Sequence, residues 1–207
     1  MTSPEHTLVG IHAAFACGLH RSYGWPIVVL AAISSNIPDW DGLPMFFDMA
    51  RFEVGHRVWG HNFLCIGISS VFFGLLQFRY RFIENSSRRI GKFLPQGASV
   101  HRETVVIPLY VLTAVCFVAQ AIHLPCDIVV SGGNGLSDWL IKPFWPFSDQ
   151  GFVLALIPWG DIGPTIIMMC GILLVARNPK RLTRISVITL AVLIIYLLVR
   201  GWTRGVL

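Results

Sequence analysis

The sequence has 207 residues, of which 54% are hydrophobic and only 13% are charged, and its mean hydropathy is +0.65. Soluble domains carry about 25% charged residues, so this composition excludes an ordinary water-soluble protein and indicates a membrane protein. The length suits a single domain, residues 1–207. The formal net charge of +5 does not require a nucleic-acid partner, because membrane topology accounts for the basic residues.

Six apolar segments predict the helices. They fall at about 7–19, 25–37, 61–78, 104–123, 151–176 and 185–200. A helix needs about 20 residues to cross the hydrocarbon core, and the third, fourth and sixth segments meet this length most clearly. We therefore predict an all-α fold: a polytopic, integral membrane helical bundle with about four to six membrane-embedded helices. Residues 6–150 are expected to contain the functional core, and residues 151–200 to add C-terminal membrane helices.

Two parts of this pattern are irregular. The first two segments are short and are expected to form a helical pair that is buried against the other helices and enters the membrane only partly. The segment at 151–176 is interrupted by "PWGDIGP", which predicts a break or kink between residues 158 and 164.

The basic residues predict the orientation. Eleven of the 16 Lys and Arg residues lie between the first and second, third and fourth, or fifth and sixth segments. By the positive-inside rule these connections are cytoplasmic. If the chain crosses six times, both termini are then outside.

Seven histidines and aspartates all fall at the opposite, non-cytoplasmic end of the predicted bundle. The candidate metal ligands are His6, Asp39, Asp41, His56, His61, His123 and Asp127. Each taken singly is equally typical of a helix cap or an interfacial polar group. Because charged groups near a bilayer are costly and tend to be functional, their joint occurrence favours a metal site.

The donor types indicate which ion the site would hold. The cysteines are scattered without a CxxC pair, which favours buried thiols over ligands. Imidazole and carboxylate together suit zinc first, with manganese or iron as alternatives. Several carboxylates can hold two ions, which activate water for phosphoester hydrolysis. The prediction is one or two divalent ions.

The spacing of the motifs constrains their local structure. In "HLPCD", His123 and Asp127 are four apart and share one face of a helix, while Pro125 suggests a kink or a helix start. In "GHRVWGH", His56 and His61 are five apart, so a turn or cap must lie between them if both point inward.

Three residues are candidates for direct catalytic roles. Asp39 or Asp41 would bridge metals or take a proton from water. Arg57, beside His56, could hold an anionic substrate group bidentately. Asp161 is a second candidate pocket carboxylate. An aromatic group is expected over the site, at Trp139, Phe144, Trp145 and Phe147.

At these residues the sequence resembles the YdjM-type (LexA-regulated) inner-membrane proteins, which are described as metal-dependent hydrolases. The family elements are represented in order by His6, "IPDWDG", "HRVWGHN", "HLPCD" and "WPFSD". The resemblance implies a metal-dependent hydrolase of the bacterial inner (plasma) membrane. The order of ligands is also distantly similar to zinc-dependent phospholipase C, which favours phosphoester chemistry by analogy.

The sequence departs from the family pattern at three positions. Gly42 stands where the family commonly has a histidine, Gly60 where it has a threonine, and Asn62 where it has a serine. These changes affect a possible ligand at position 42 and any step assisted by a hydroxyl group.

The function predicted from the sequence is hydrolysis of an ester or phosphoester by metal-activated water. A site at the membrane surface suggests a lipid or lipid-linked substrate. One alternative is a metal transporter or sensor, which requires polar residues through the bilayer; few are present. Another is a non-catalytic protein whose metal, or hydrogen-bond network, is structural. Such a protein would unfold on metal removal and form no product.

Overall fold

The structure is a computed structural model that describes residues 1–91, 105–131 and 138–207. Two of the basic residues used to predict orientation, Lys92 and Arg102, lie outside these ranges.

The described residues are predominantly helical. The α-helices are α1 (Ser3–Ala16), α2 (Leu19–Tyr23), α3 (Trp25–Ser34), α4 (Met49–Gly55), α5 (Phe63–Tyr80), α6 (Phe82–Gly91), α7 (Leu109–Ile128), α8 (Gly163–Arg177) and α9 (Leu182–Thr203). Two 3₁₀ helices span Ile37–Phe46 and Pro179–Arg181. Two short parallel strands, β1 (Val130–Ser131) and β2 (Ile157–Pro158), pair Val130 with Ile157.

Three of the described helical segments are long and apolar enough to cross a membrane: Phe63–Tyr80, Leu109–Ile128 and Pro179–Thr203. α3 and α8 are shorter apolar helices. The predicted all-α membrane bundle is confirmed.

The structure differs from the sequence prediction in three places. The apolar segment at 151–176 is helical only from Gly163 onward, because Pro158, Gly160 and Pro164 disfavour an earlier start. α7 continues through Pro125 to its end, so the prediction of a helix start there was wrong. The short helices α4 and α6 were not predicted, since they lie in connections without a long apolar run.

The helices alternate in direction, which places the functional residues at one end. Glu5 in the first turn of α1 accepts a hydrogen bond of 2.6 Å from the Thr165 hydroxyl in the first turn of α8. Just before α8, Asp161 pairs with Arg200 near the end of α9 at 2.9 Å. The starts of α1, α5 and α8 therefore meet the ends of α3, α7 and α9.

The bundle is packed around α1 and α7. α1 contacts α3, α8 and α9, and α7 contacts α3 and α5. The largest apolar cluster includes Phe15, Ile27, Leu30 and Cys116, all almost fully buried. These contacts fix the positions of α1 and α7, the two helices that carry ligands of the candidate site.

Candidate metal centre

Four chain segments bring the predicted residues together at one end of the bundle. They are the first turns of α1, the 3₁₀ helix after α3, the turn before α5 and the last turns of α7. All seven side chains contact at least one other member of the set: His6, Asp39, Asp41, His56, His61, His123 and Asp127.

Four of these residues form a group that could hold a metal ion. One ligand atom from each of His6, Asp39, His123 and Asp127 lies within 4.8 Å of the others. His6 Nε2 is 3.1 Å from Asp127 Oδ1, and His123 Nε2 is 3.4 Å from both Asp127 Oδ2 and Asp39 Oδ1. The His6 and His123 rings are stacked with centroids 3.6 Å apart. Among the described residues, this is the one group of at least three such side chains at this spacing.

His61 adds a fifth donor beside this group. Its Nε2 atom lies 3.0 Å from His123 Nε2 and 3.2 Å from Asp127 Oδ2. It is also 3.8 Å from Asp39 Oδ1. His61 thus lies within 4 Å of three members of the group.

The two imidazoles are held in the orientation that a metal requires. His123 Nδ1 is 2.7 Å from the Ser35 carbonyl oxygen, which can only accept, so Nδ1 carries the proton. His61 Nδ1 is 2.9 Å from Asp41 Oδ2, which favours the same tautomer. Both Nε2 atoms then direct lone pairs toward each other. Two lone pairs 3.0 Å apart are stable only with a cation or proton between them, and this fits a metal centre.

Asp41 supports the ligands rather than joining the four-residue group. Its side chain is fully buried, accepts from the Gly60 N–H at 2.8 Å and lies 3.3 Å from His56 Nδ1. Burial raises the pKa of Asp41, but hydrogen bonds from His56, His61 and Gly60 outweigh it and hold the pKa at about 2. Asp41 is therefore ionised at neutral pH. One of its carboxylate oxygens orients His61, and the other faces His56.

Arg57 is occupied by protein groups. It is 2% exposed, and its guanidinium donates to the carbonyl oxygens of Asp127, Val130 and Trp139 at 3.3, 3.3 and 3.4 Å. Its Nε atom is 3.5 Å from Asp127 Oδ2, and the guanidinium lies over the Trp139 ring. These contacts fit a residue that positions the end of α7, whereas the sequence prediction had it bind substrate.

Solvent reaches the group from one side. The side chains of Asp39 and His56 are 24% and 16% exposed, while those of His61 and Asp127 are at most 2% exposed. The Ser3 hydroxyl donates to Asp39 Oδ2 at 3.1 Å. Asp39 is thus the one carboxylate of the four-residue group that faces an opening.

Protonation of the ligands competes with metal binding. Burial lowers the pKa of His6 to about 4, which keeps its imidazole neutral. Burial also lowers the pKa of His61, but hydrogen bonds with Asp127 and Asp41 outweigh this and raise it. A proton on His61 Nε2 would occupy the lone pair that a metal uses.

Local sequence features explain how the turn before α5 is built. Asn62 caps α5 by accepting from the Cys65 N–H at 2.8 Å. A Cβ atom on Gly60 would lie 1.9 Å from the Pro38 carbonyl oxygen, so the backbone of the 3₁₀ helix approaches too closely for any side chain. At Gly42 a Cβ would meet only the His56 ring, at 3.8 Å. The glycine at position 60 is therefore required by this packing, and the glycine at position 42 is not.

Other residues lie outside the group. The predicted pocket carboxylate Asp161 accepts from Tyr196 and Arg200. The buried histidine His12, which was not among the predicted ligands, lies deeper in the bundle, where Nδ1 is 3.0 Å from Ser186 Oγ. In the predicted aromatic group, Trp139 lies edge-on to His56, with ring centroids 5.3 Å apart.

Several contributors were missed by sequence reasoning. The Ser35 carbonyl and the Ser3 hydroxyl support ligands, and the Met1 ammonium group contacts Asp127 Oδ1. The Ser35 contact is made by a main-chain carbonyl, which any residue supplies, so the polar run "SSN" before "IPDWD" gave no signal for it.

Comparison with known proteins agrees with the composition and the motifs. The family model described as YdjM inner membrane protein matches residues 1–205. No curated protein and no solved structure matches the chain significantly, and the similarity to phospholipase C stays a prediction. Because the family match extends over almost the whole sequence, the chain belongs to the YdjM inner membrane protein family.

Proposed function

We propose that this protein is a membrane-bound, metal-dependent hydrolase that cleaves an ester or phosphoester. The observation that carries the proposal is the pair of imidazole Nε2 atoms of His61 and His123, 3.0 Å apart. The Nδ1 atom of each ring faces an acceptor, Asp41 Oδ2 or the Ser35 carbonyl, which favours the proton on Nδ1. The carboxylates of Asp39 and Asp127 lie beside the two Nε2 atoms. A combination of imidazoles and carboxylates is typical of sites for divalent metals, zinc foremost.

The ion would be held by His6, Asp39, His61, His123 and Asp127. A divalent cation supplies Lewis acidity, lowering the pKa of a bound water and stabilising negative charge on a phosphoryl or carbonyl oxygen. The residues around it supply orientation. Asp41 holds the proton on His61 Nδ1, and the Ser35 carbonyl holds the proton on His123 Nδ1.

Asp39 is the carboxylate best placed to accept a proton. It is the exposed member of the group, and its Oδ2 atom is kept in place by the Ser3 hydroxyl. Asp41 is buried, and its two oxygens face His56, His61 and the Gly60 N–H. Of the two candidates for proton acceptance, the geometry favours Asp39, and Asp41 fits a positioning role.

The proposed topology places this site on the non-cytoplasmic face of a multi-pass protein. It is supported by the charge bias of the connecting segments and by the alternation of the helices. The described basic residues Arg79, Arg177 and Lys180 lie at the helix ends opposite the ligands. A cysteine-accessibility experiment that labels Phe47→Cys from the cytoplasmic side would contradict this orientation.

The hydrolase proposal is favoured over transport by one observation. Within the described part of the chain, the only group of at least three metal-ligating side chains lies at one end of the bundle. A metal transport path needs further groups of metal ligands along the membrane normal; deeper in the bundle, the buried His12 is instead hydrogen-bonded to Ser186.

The decisive test is metal content followed by activity. Wild type, Asp39→Ala and His123→Ala are purified in detergent with Asp149→Ala, an exposed carboxylate, as the matched control. We expect stoichiometric metal in wild type and control and its loss in both site variants, measured by plasma mass spectrometry. A panel of phosphomonoesters, phosphodiesters and carboxylic esters then tests turnover, which chelation should abolish.

Two results would overturn the proposal. Wild type without metal after supplementation would show that the cluster is a hydrogen-bonded helix junction. Stoichiometric metal with no turnover of any ester class, together with unfolding on chelation, would assign the metal a structural role.

A further inference from the structure

An apolar groove runs along the outside of the bundle between α1, α3 and α8. Its volume is about 650 Å³, within the range of roughly 300–1,000 Å³ that is usual for ligand pockets. The lining is almost entirely aliphatic and aromatic, with Ile11, Phe15, Val28 and Val175 among its residues. No described charged side chain lines it.

The groove extends along α3 from Trp25 to Asn36 and Ile37, just beyond its end. α3 has 10 residues and is ~15 Å long at 1.5 Å per residue. This is about half of the ~30 Å hydrocarbon core. The groove is therefore about as long as the hydrocarbon part of one lipid leaflet is thick.

One end of the groove adjoins the candidate metal centre. Thr7 and Asn36 line this end, Thr7 follows His6 in the chain, and Ile37 is two residues before Asp39. The Asn36 amide group donates to Thr7 Oγ1 at 2.8 Å. Its Oδ1 atom is shielded and has no hydrogen-bond partner within the described residues.

We propose that this groove binds one acyl chain of a membrane glycerophospholipid and thereby presents the headgroup phosphoester to the metal centre. The inference rests on the proposed hydrolase function and names its substrate class. The hydrocarbon tail lies along α3, and the glycerol region lies near Thr7 and Asn36. The phosphoester then reaches the exposed side of the group, at Asp39.

The outer rim of the groove faces the bilayer. Trp25 is 50% exposed, and Val29 and Ile33 are each 39% exposed. An acyl chain can enter sideways from the leaflet without crossing water, so its tail stays in an apolar medium throughout. A water-soluble substrate would gain nothing from this lining, and the groove would be unnecessary for it.

Photo-crosslinking tests the groove without relying on catalysis. The probe is a phosphatidylglycerol with a diazirine near the end of one acyl chain, present at low mole fraction in phosphatidylcholine nanodiscs. Labelled peptides are mapped by mass spectrometry, with unlabelled phosphatidylglycerol as competitor. Ala176→Trp fills the far end of the groove, and Ala191→Trp places the same residue on an exposed face of α9 as the control.

We expect competed labelling of residues 25–37 and 172–176, reduced several-fold by Ala176→Trp and unchanged by Ala191→Trp. Asp39→Asn should keep this labelling, because the groove does not depend on the metal. Uniform labelling of all lipid-facing helices, or equal labelling in both tryptophan variants, would overturn the groove. Neither result bears on the metal analysis, so the two proposals fail separately.

Discussion

The Nε2 atoms of His61 and His123 lie 3.0 Å apart, although the two residues are separated by 62 positions in the chain. Their Nδ1 atoms face an aspartate and a main-chain carbonyl on opposite sides. Moving a proton from Nδ1 to Nε2 on either ring would remove the repulsion between the two Nε2 lone pairs. It would also break the buried hydrogen bond that the Nδ1 atom makes. A proton or a metal cation between the two Nε2 atoms satisfies this approach, and the first prediction tests the metal.

Replacing the supporting carboxylate should weaken metal binding without removing a ligand. In Asp41→Asn the acceptor for His61 Nδ1 loses its charge, and loss of such support typically costs about 10–100-fold in metal affinity. Competition with a chromophoric chelator measures the change, with Asp149→Asn as the exposed control. An unchanged affinity in Asp41→Asn would show that His61 is oriented by packing alone.

The two glycines that depart from the family pattern should respond differently to alanine. In Gly60→Ala the new methyl group meets the Pro38 carbonyl, which must shift the 3₁₀ helix and Asp41 with it. Overpacking of this kind costs about 1–3 kcal/mol. We expect a lower thermal midpoint and less bound metal.

Gly42→Ala is the matched control, because its methyl group is in ordinary contact with His56 at 3.8 Å. Stability and metal content should stay at wild-type values. Equal loss in both variants would mean that the close approach of Gly60 to Pro38 is absent in the folded protein.

Arg57→Lys should destabilise the protein even when no metal is bound. The guanidinium contacts three carbonyl oxygens through Nη1, while its Nε lies 3.5 Å from Asp127 Oδ2 and its plane lies over Trp139. The compact ammonium group of lysine cannot make all of these contacts at once. An unsatisfied buried acceptor costs about 1–3 kcal/mol. Thermal unfolding of chelator-treated protein measures this, with the exposed Arg51→Lys as control. An unchanged midpoint combined with a raised KM would return Arg57 to the substrate-binding role.

The Asp161 cluster predicts a pH dependence of stability. Burial raises the pKa of Asp161, but hydrogen bonds from Tyr196, the Gly163 N–H and Arg200 outweigh it and lower the pKa below the model-peptide value of 3.8. A lowered pKa in the folded state stabilises the protein above pH 3.8, and this stabilisation is lost as the pH falls through the folded-state pKa.

The measurement is the difference in thermal midpoint between wild type and Asp161→Asn. It should be largest near neutral pH and shrink below pH 3.8, while contributions from the other acids cancel. A difference that is constant from pH 6 to pH 3 would show that the Asp161 carboxylate gains nothing from Arg200.

Much of the fold follows from apolar runs. α5, α7 and α9 each lie close to a predicted segment because about 20 uninterrupted apolar residues have few alternatives in a bilayer. The segment at 151–176 was misjudged at its start. Prolines and glycines within residues 158–164 outweigh apolarity there.

The convergence of the ligands was also predictable, since alternating helices place every second end together. The different roles of the individual residues within the cluster could not be predicted. Asp39 and Asp41 are two residues apart in one motif, yet Asp39 is partly exposed and Asp41 is fully buried. Asp41 packs against Gly60 and His61 from a distant part of the chain, and such tertiary contacts cannot be read from the motif.

The four-residue group ends at Asp127 and contains no side chain of β2, α8 or α9. The last two helices nevertheless pack against α1, and His12 of α1 contacts Ser186 of α9 at 3.0 Å. The C-terminal helices thus hold in place the helix that carries His6 while supplying no donor to the group themselves.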